Sequence, residues 1–182
     1  MKKLVTVLLF MIAQLLCSQE SDQLITRQGT VSFFSYTTVE NIEANNNQVL
    51  SIIDIDKKEI AVSMLMRTFV FKKKLMREHF NESYIESDRY PKATFEGTIE
   101  DFVTDMQGAQ TKIIRGALTL HGVTKDTEIK SKIEKTETGY VLSGEFKAVV
   151  KDFEIKIPPV LAGNIAEIIT ITFRFEYEPY EK

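Results

Sequence analysis

The stretch KATFEGTIED, residues 92–101, has the clearest strand pattern of the chain, because polar and apolar positions alternate from Lys92 to Glu100. One set of positions holds Ala93, Phe95, Gly97 and Ile99, and threonine and glutamate occupy the positions between them. Successive side chains of a strand point to opposite faces of a sheet. The pattern therefore predicts a β-strand with one dry face and one face toward water.

The same period of two recurs along most of the chain. It predicts strands at Thr30–Thr37, Gln48–Asp54, Glu59–Met66, Lys92–Asp101, Lys112–Leu120, Thr127–Glu134, Tyr140–Ala148 and Glu167–Tyr177. Turn-forming residues separate these runs, and the spacing predicts loops at Asn45–Asn47, Asp54–Lys58 and Asp105–Gln110. Glu137–Gly139 reads as a hairpin turn whose glycine can take a positive φ. We therefore predict an all-β fold, an antiparallel barrel of about eight strands, which is wide enough for one small ligand.

One segment departs from the strand pattern and predicts a short helix near a barrel end. From Lys72 to Phe80 the apolar residues Leu75, Met76 and Phe80 share a helical face, with Phe71 just ahead. Asn81 is the predicted end of this helix. Such a helix either completes the core as a plug or covers the barrel as a lid, and the sequence leaves both open.

The first residues have the pattern of a secretory signal peptide. Lys2 and Lys3 precede an apolar run from Leu4 to Leu16, and we expect cleavage near residue 19, which leaves residues 20–182 as one domain. Cys17, the only cysteine, is either removed with this segment or acylated as a lipoprotein anchor. Leu16 is larger than the residue an anchor requires before its cysteine, which favours removal. The expected location is periplasmic or secreted, with no transmembrane segment in the mature chain.

Composition argues against several classes of partner. The formal net charge of −3 gives no electrostatic reason to bind nucleic acid, and the basic run Lys72–Lys74 with Arg77 fits the solvated face of a helix. Twelve phenylalanines and no tryptophan suit a dry interior, because phenylalanine carries no polar atom.

A search for catalytic chemistry finds no constellation. His79 and His121 lack companions at metal-ligand spacing, and a turn histidine such as His121 most simply bonds the backbone. No nucleophile elbow or phosphate-binding loop is present, and carboxylates such as Glu96 and Glu100 belong to a wet strand face. We therefore predict no enzyme activity, no metal and no cofactor. An enzyme acting on a lipid would need polar groups that converge on the interior.

What remains is a set of apolar residues that could face the interior of the barrel. Composition does not show whether they form a filled core or line a cavity. The interior candidates are Phe33, Met64, Met66, Phe69, Phe71, Leu75, Met76, Phe80, Phe95, Leu118, Leu120, Phe146, Phe173 and Phe175.

Two motifs resemble the YceI-like family. Residues 90–97, YPKATFEG, resemble its YP-x-x-x-F signature, and residues 116–125, GALTLHGVTK, resemble its G-x-LT-x-x-GVTK hairpin. The segment His79–Glu82, followed by Tyr84 and Ser87-Asp88, is similar to a subgroup seen in bacteria of Bacteroidetes type. The resemblance spans about residues 29–177.

The resemblance implies a lipocalin-like barrel, exported to the periplasm, that binds an isoprenoid or another amphiphilic lipid in an internal tunnel. The fourteen interior candidates would line that tunnel. One departure is at Arg67–Phe71, which lacks the Asp and His of the family's R-D-x-H-L element. The ligand class therefore stays broad: isoprenoid, quinone or fatty-acyl chain. The alternative is a cell-envelope structural or interaction protein with a packed, ligand-free core, and either protein is compatible with a homodimer.

Overall fold

The computed structural model of the chain describes residues 23–37, 40–104, 106–158 and 165–180. The predicted signal peptide, Cys17, Asp105 and Pro159 lie outside the described residues.

Antiparallel strands make up most of the described chain. In chain order they are β1 (Gln23–Ser35), β2 (Ile42–Asp54), β3 (Glu59–Leu65), β4 (Val70–Phe71), β5 (Lys92–Ile99), β6 (Ala109–Leu120), β7 (Val123–Lys135), β8 (Tyr140–Val149) and β9 (Ile168–Pro179). The order of pairing is β1-β9-β8-β7-β6-β5-β3-β2, and a further pairing between β1 and β2 closes these eight strands into a barrel. The two-residue strand β4 adds to the first half of β2. The predicted barrel of about eight antiparallel strands is confirmed.

The prediction of a loop at Asn45–Asn47 is wrong, because these residues lie inside β2. Asn46 is fully buried, donates from Nδ2 to the carbonyl of Leu65 (3.2 Å) and accepts the backbone N–H of Gln48 (2.9 Å). The register of the β1–β2 pair shifts between Gly29 and Val31, where β2 carries one residue more than β1, as in a β-bulge. Asparagine therefore serves here to satisfy a distorted strand pairing rather than to make a turn.

The predicted helix is present but differs in its bounds. Helix α1 covers Lys74–His79 and continues without a break into one wider, π-helical turn, Phe80–Tyr84. Asn81 therefore does not end the helix. Its side chain donates to the carbonyl of Arg77 (2.8 Å) and accepts from Ser87 (2.8 Å), so it stabilises the transition between the two helical forms.

The hairpin between β7 and β8 forms as predicted, but its glycine has another role. Gly139 accepts the backbone N–H of Thr136 (2.8 Å), and it is not among the described glycines with positive φ. A Cβ at this position would lie 2.1 Å from the carbonyl oxygen of Tyr177. Glycine is required there because β9 passes so close to the turn.

The barrel has two different ends. One end of the barrel, called the mouth, is formed by the last residues of β1, β3, β6 and β8 and the first residues of β2, β5, β7 and β9. The connection from β4 to β5, which contains α1 and the π-helical turn, lies at this end. At the far end the core is solid, and Ile53, Ile99, Phe102 and Ile133 are each no more than 2% exposed. Within the described residues, no helix is both long and apolar enough to cross a membrane.

Candidate functional site

An elongated cavity occupies the mouth side of the barrel. Its volume is about 440 Å³, which falls in the range of small-molecule sites. Its wall is almost entirely apolar, because alternate residues of every strand point inward. The wall includes exposed residues such as Leu75, which is 60% exposed, so the cavity reaches solvent beside α1.

The structure brings all fourteen interior candidates to the wall of this one cavity. They are Phe33, Met64, Met66, Phe69, Phe71, Leu75, Met76, Phe80, Phe95, Leu118, Leu120, Phe146, Phe173 and Phe175. Their contact with a lipid stays a prediction. The sequence leaves two roles for the helix, a lid or a plug. Leu75 and Met76 lie at the opening of the cavity, which favours the lid.

Four phenylalanines form a ring cluster just below the helical segment. The ring of Phe33 lies 5.5 Å from that of Phe69, 5.9 Å from that of Phe71 and 5.5 Å from that of Phe80. Phe71 and Phe80 approach to 5.0 Å. Because β1, the residues around β4 and the π-helical turn each contribute a ring, the cluster packs the helical segment onto the barrel.

The polar side chains of the described wall gather at the mouth. They belong to Ser35, Glu40, Lys73, His79 and Tyr84. Lys73 and Glu40 form an ion pair with an N–O distance of 2.5 Å, which joins the start of α1 to the segment before β2. Partial burial raises the pKa of the Tyr84 hydroxyl above its ordinary value. A ligand in this cavity would meet hydrogen-bonding groups only at its outer end.

A buried histidine ties together the two segments that border the mouth. The Nδ1 atom of His121 donates to the carbonyl oxygen of Phe153 (3.0 Å), and Nε2 lies 3.0 Å from a carboxylate oxygen of Glu86. The ring of Tyr90 packs on the imidazole, with 4.4 Å between centroids. The expectation that His121 bonds the backbone is therefore correct, and the sequence did not indicate the contact with Glu86.

Most of the aliphatic residues of the wall were not among the fourteen candidates. The additional lining residues are Val31, Ile42, Ile60, Val62, Ile85, Ala93, Ile114, Ile129, Leu142, Val150, Ile155, Ile157, Ile165, Ile169 and Ile171. Several of them lie on faces that strand alternation marked as inward, so that signal was available. Ile155, Ile157 and Ile165 follow no period, since they lie in the irregular connection between β8 and β9.

The described side chains include no group of three or more His, Cys, Asp or Glu residues placed to hold a metal ion.

The fold and its cavity define a lipocalin-like barrel with an apolar interior. The chain belongs to the YceI-like family, since the YceI-like domain matches residues 23–177. A comparison with curated protein sequences finds no match.

Several solved structures share the fold at low sequence identity. A polyisoprenoid-binding domain from Saccharophagus degradans, implicated in plant cell wall breakdown, superposes with a TM-score of 0.76 at 13% identity and covers 87% of this chain and 99% of its own. BcnA of Burkholderia cenocepacia gives 0.68 at 16% identity, covering 80% of this chain and 94% of its own. The YceI protein of Campylobacter jejuni gives 0.65 at 17% identity, covering 81% and 90%.

Proposed function

We propose that this protein is an exported, non-enzymatic binding protein that holds the hydrocarbon part of an amphiphilic lipid inside its barrel. The lipid would be an isoprenoid, a quinone or a fatty-acyl chain. The observation that carries the proposal is the apolar cavity open beside α1. The structural similarity to a polyisoprenoid-binding domain from Saccharophagus degradans supports it. Export rests on the leader pattern of residues 1–19 alone.

The cavity supplies a sufficient driving force for such binding. Burying hydrocarbon contributes about 0.8 kcal/mol for each methylene, so ten methylenes supply about 8 kcal/mol before the costs of association. The wall carries few polar groups that a hydrocarbon would leave unsatisfied, because Ser35, Glu40, Lys73, His79 and Tyr84 lie at the opening. The inner wall therefore favours an apolar guest over a polar one.

The arrangement supports binding better than catalysis. A reacting group would need a base or nucleophile and an activating partner within hydrogen-bond reach of each other. At the mouth, Lys73 is already paired with Glu40, and in the described interior the inner wall is built from aliphatic and aromatic side chains. The cavity also supports this proposal over the alternative of a protein with a fully packed core.

Titration of the purified protein with a fluorescent fatty acid tests the proposal. Phe146→Asp places a charge on the cavity wall, whereas Lys147→Asp places the same side chain on the exposed face of the same strand. We expect saturable binding by the wild-type protein and by Lys147→Asp, and loss of binding in a folded Phe146→Asp variant. Undiminished binding by folded Phe146→Asp would place the lipid elsewhere and refute the proposal.

A further inference from the structure

Strand β9 shows where the cavity stops. Its inward residues Ile169, Ile171, Phe173 and Phe175 line the cavity, but the next inward residue, Tyr177, does not. Tyr177 is 3% exposed, and its hydroxyl lies 2.7 Å from the hydroxyl of Ser51. The Ser51 hydroxyl donates to the carbonyl of Ala61 (3.0 Å), so the Tyr177 hydroxyl is the donor to Ser51. This bond fixes the Tyr177 ring as part of a solid floor.

The strands opposite and beside β9 stop at the same depth. On β6 the lining ends at Ile114, and on β8 it ends at Leu142. Beyond them lie Gln110 and Tyr140, both buried and outside the lining. Their polar ends are anchored at the far end, since Gln110 donates to the carbonyl of Val103 (2.6 Å) and Tyr140 donates to that of Thr104 (2.8 Å). The described residues therefore form a tunnel with one blind end.

The blind end and the polar mouth together define the orientation of a guest. Hydrogen-bonding side chains are found on the described wall only at the outer end, and the inner end offers Ile114, Leu142 and Phe175. A hydrocarbon tail can be buried there without loss of hydrogen bonds, but a polar head group cannot. The head group must stay near Lys73, His79 and Tyr84.

The strands also set the depth of the tunnel. From Ile169 to Phe175 is six residues, which spans roughly 20 Å along the strand at about 3.3 Å per residue. Strands in a closed barrel tilt by about 35–45°, which reduces the depth along the axis to roughly 15 Å. A tail longer than this must fold back or leave its head group outside the mouth.

We propose that Phe175 and Ile114 set the longest tail that the tunnel accepts from an amphiphile held tail first. This inference rests on the proposed function and deepens it by naming the residues that determine the accepted tail length. Phe175 is suited to this role because its ring lies over Gly29, where a Cβ would come within 2.5 Å of it. Removing the ring would open space toward β1 and deepen the tunnel.

A series of saturated fatty acids that differ by two carbons tests the inference. Their affinities are measured by displacement of the fluorescent fatty acid from the wild-type protein. While the added carbons are buried, affinity should rise roughly tenfold for each two methylenes. Once the tail reaches the floor, the rise should stop, and this break gives the accepted length.

Variants at the floor should move the break. Phe175→Ala and Ile114→Ala should shift it to longer tails by at least one member of the series, because both open the blind end. Phe146→Ala is the matched control, since this residue lines the outer half of the tunnel opposite Ile171 on β9. It should weaken all tails alike and leave the break where it is. Circular dichroism establishes that each variant is folded, and Phe175→Leu replaces the alanine variant if that one is not.

The outcomes separate the inference from the proposed function. If the wild-type protein binds no member of the series and no added isoprenoid or quinone, the proposed function fails. If it binds the series without a break, the inference fails and the function stands. A break that stays fixed in both floor variants, or that moves equally in Phe146→Ala, also overturns the inference.

Discussion

The Nε2 atom of His121 lies 3.0 Å from a carboxylate oxygen of Glu86, across 35 positions of sequence. Both residues have a left-handed backbone, with φ of 52° at His121 and 48° at Glu86, and Glu154, next to the bonded Phe153, has φ of 57°. Such conformations are strained for residues other than glycine and persist where the surroundings hold them. The contact with Glu86 holds the segment after the π-helical turn against the β6–β7 turn. The bond from His121 to Phe153 adds the start of the connection before β9, and we call this arrangement the clamp.

The clamp predicts unequal effects of two substitutions. The Nδ1–H of His121 donates to the carbonyl of Phe153, and Nε2 faces a carboxylate oxygen of Glu86 at 3.0 Å. Glu86→Gln supplies an amide N–H to Nε2 and should cost less than about 1 kcal/mol. His121→Ala removes both bonds and leaves a void, and should cost about 2–4 kcal/mol. Urea unfolding measures both variants, and equal losses would mean that the histidine is not the centre of the clamp.

The burial of the Tyr177 hydroxyl should make the protein less stable in alkaline solution. Burial raises the pKa of its hydroxyl far above the ordinary value of about 10. A group whose pKa is raised by folding contributes stability that is fully present below its unfolded pKa and is lost as pH rises toward its folded pKa. Unfolding free energy should therefore fall above about pH 10.

Tyr177→Phe should cost about 1 kcal/mol at neutral pH, for the bond to Ser51, and should make the alkaline loss shallower. The matched control is Tyr36→Phe, at a residue that is 69% exposed. Urea unfolding at neutral and alkaline pH compares the variants. An alkaline slope that is the same in Tyr177→Phe and the wild-type protein would show that another group causes it.

A side chain at position 116 should cause a severe packing defect. It faces Gly97 across the β5–β6 pair, and a Cβ at Gly116 would lie 2.2 Å from the carbonyl oxygen of Glu96 and 2.6 Å from the Cα of Gly97. These are backbone atoms and cannot rotate away, so Gly116→Ala should destabilise the barrel by about 3 kcal/mol. Glu96→Ala, on the exposed face of β5, should change stability by less than about 0.5 kcal/mol. Thermal unfolding measures both, and a neutral Gly116→Ala would mean that the two strands are further apart.

The cavity predicts opposite effects on stability and on binding at Ala93. This residue is 3% exposed and lines the cavity, so Ala93→Leu would extend an apolar side chain into open space. The variant should gain about 1 kcal/mol of stability, as cavity-filling substitutions do, and should bind the fluorescent fatty acid more weakly. A variant that is less stable than the wild-type protein would indicate that the space beside Ala93 is already filled.

Alternation of side chains made the barrel and the inner wall predictable, because the dry face of a strand must point at the core. Phe95, Phe146, Phe173 and Phe175 lie where that pattern places them. The pattern does not mark where a filled core ends and a cavity begins. Tyr177 continues the alternation of β9 without interruption and yet belongs to the floor.

The remaining errors arose where tertiary contacts override local preference. Three asparagines in a row favour a turn, but Asn46 is held in β2 by bonds to Leu65 and Gln48 that are invisible in sequence. Asn81 likewise favours a helix end, and its bonds to Arg77 and Ser87 carry the helix into a wider turn. The clamp between His121 and Glu86 joins distant segments, so no local pattern could indicate it.

Native mass spectrometry of the protein, purified gently from the cells that produce it, is the measurement that addresses lipid binding without a choice of added ligand. The spectrum is compared with that of the denatured protein, and the released material is extracted and identified. We expect a stoichiometric adduct in the native spectrum that leaves on denaturation as an amphiphilic lipid. A bare polypeptide mass, together with no uptake of added isoprenoids, quinones or fatty acids, would contradict the account and favour an interaction protein that uses its interior only for packing.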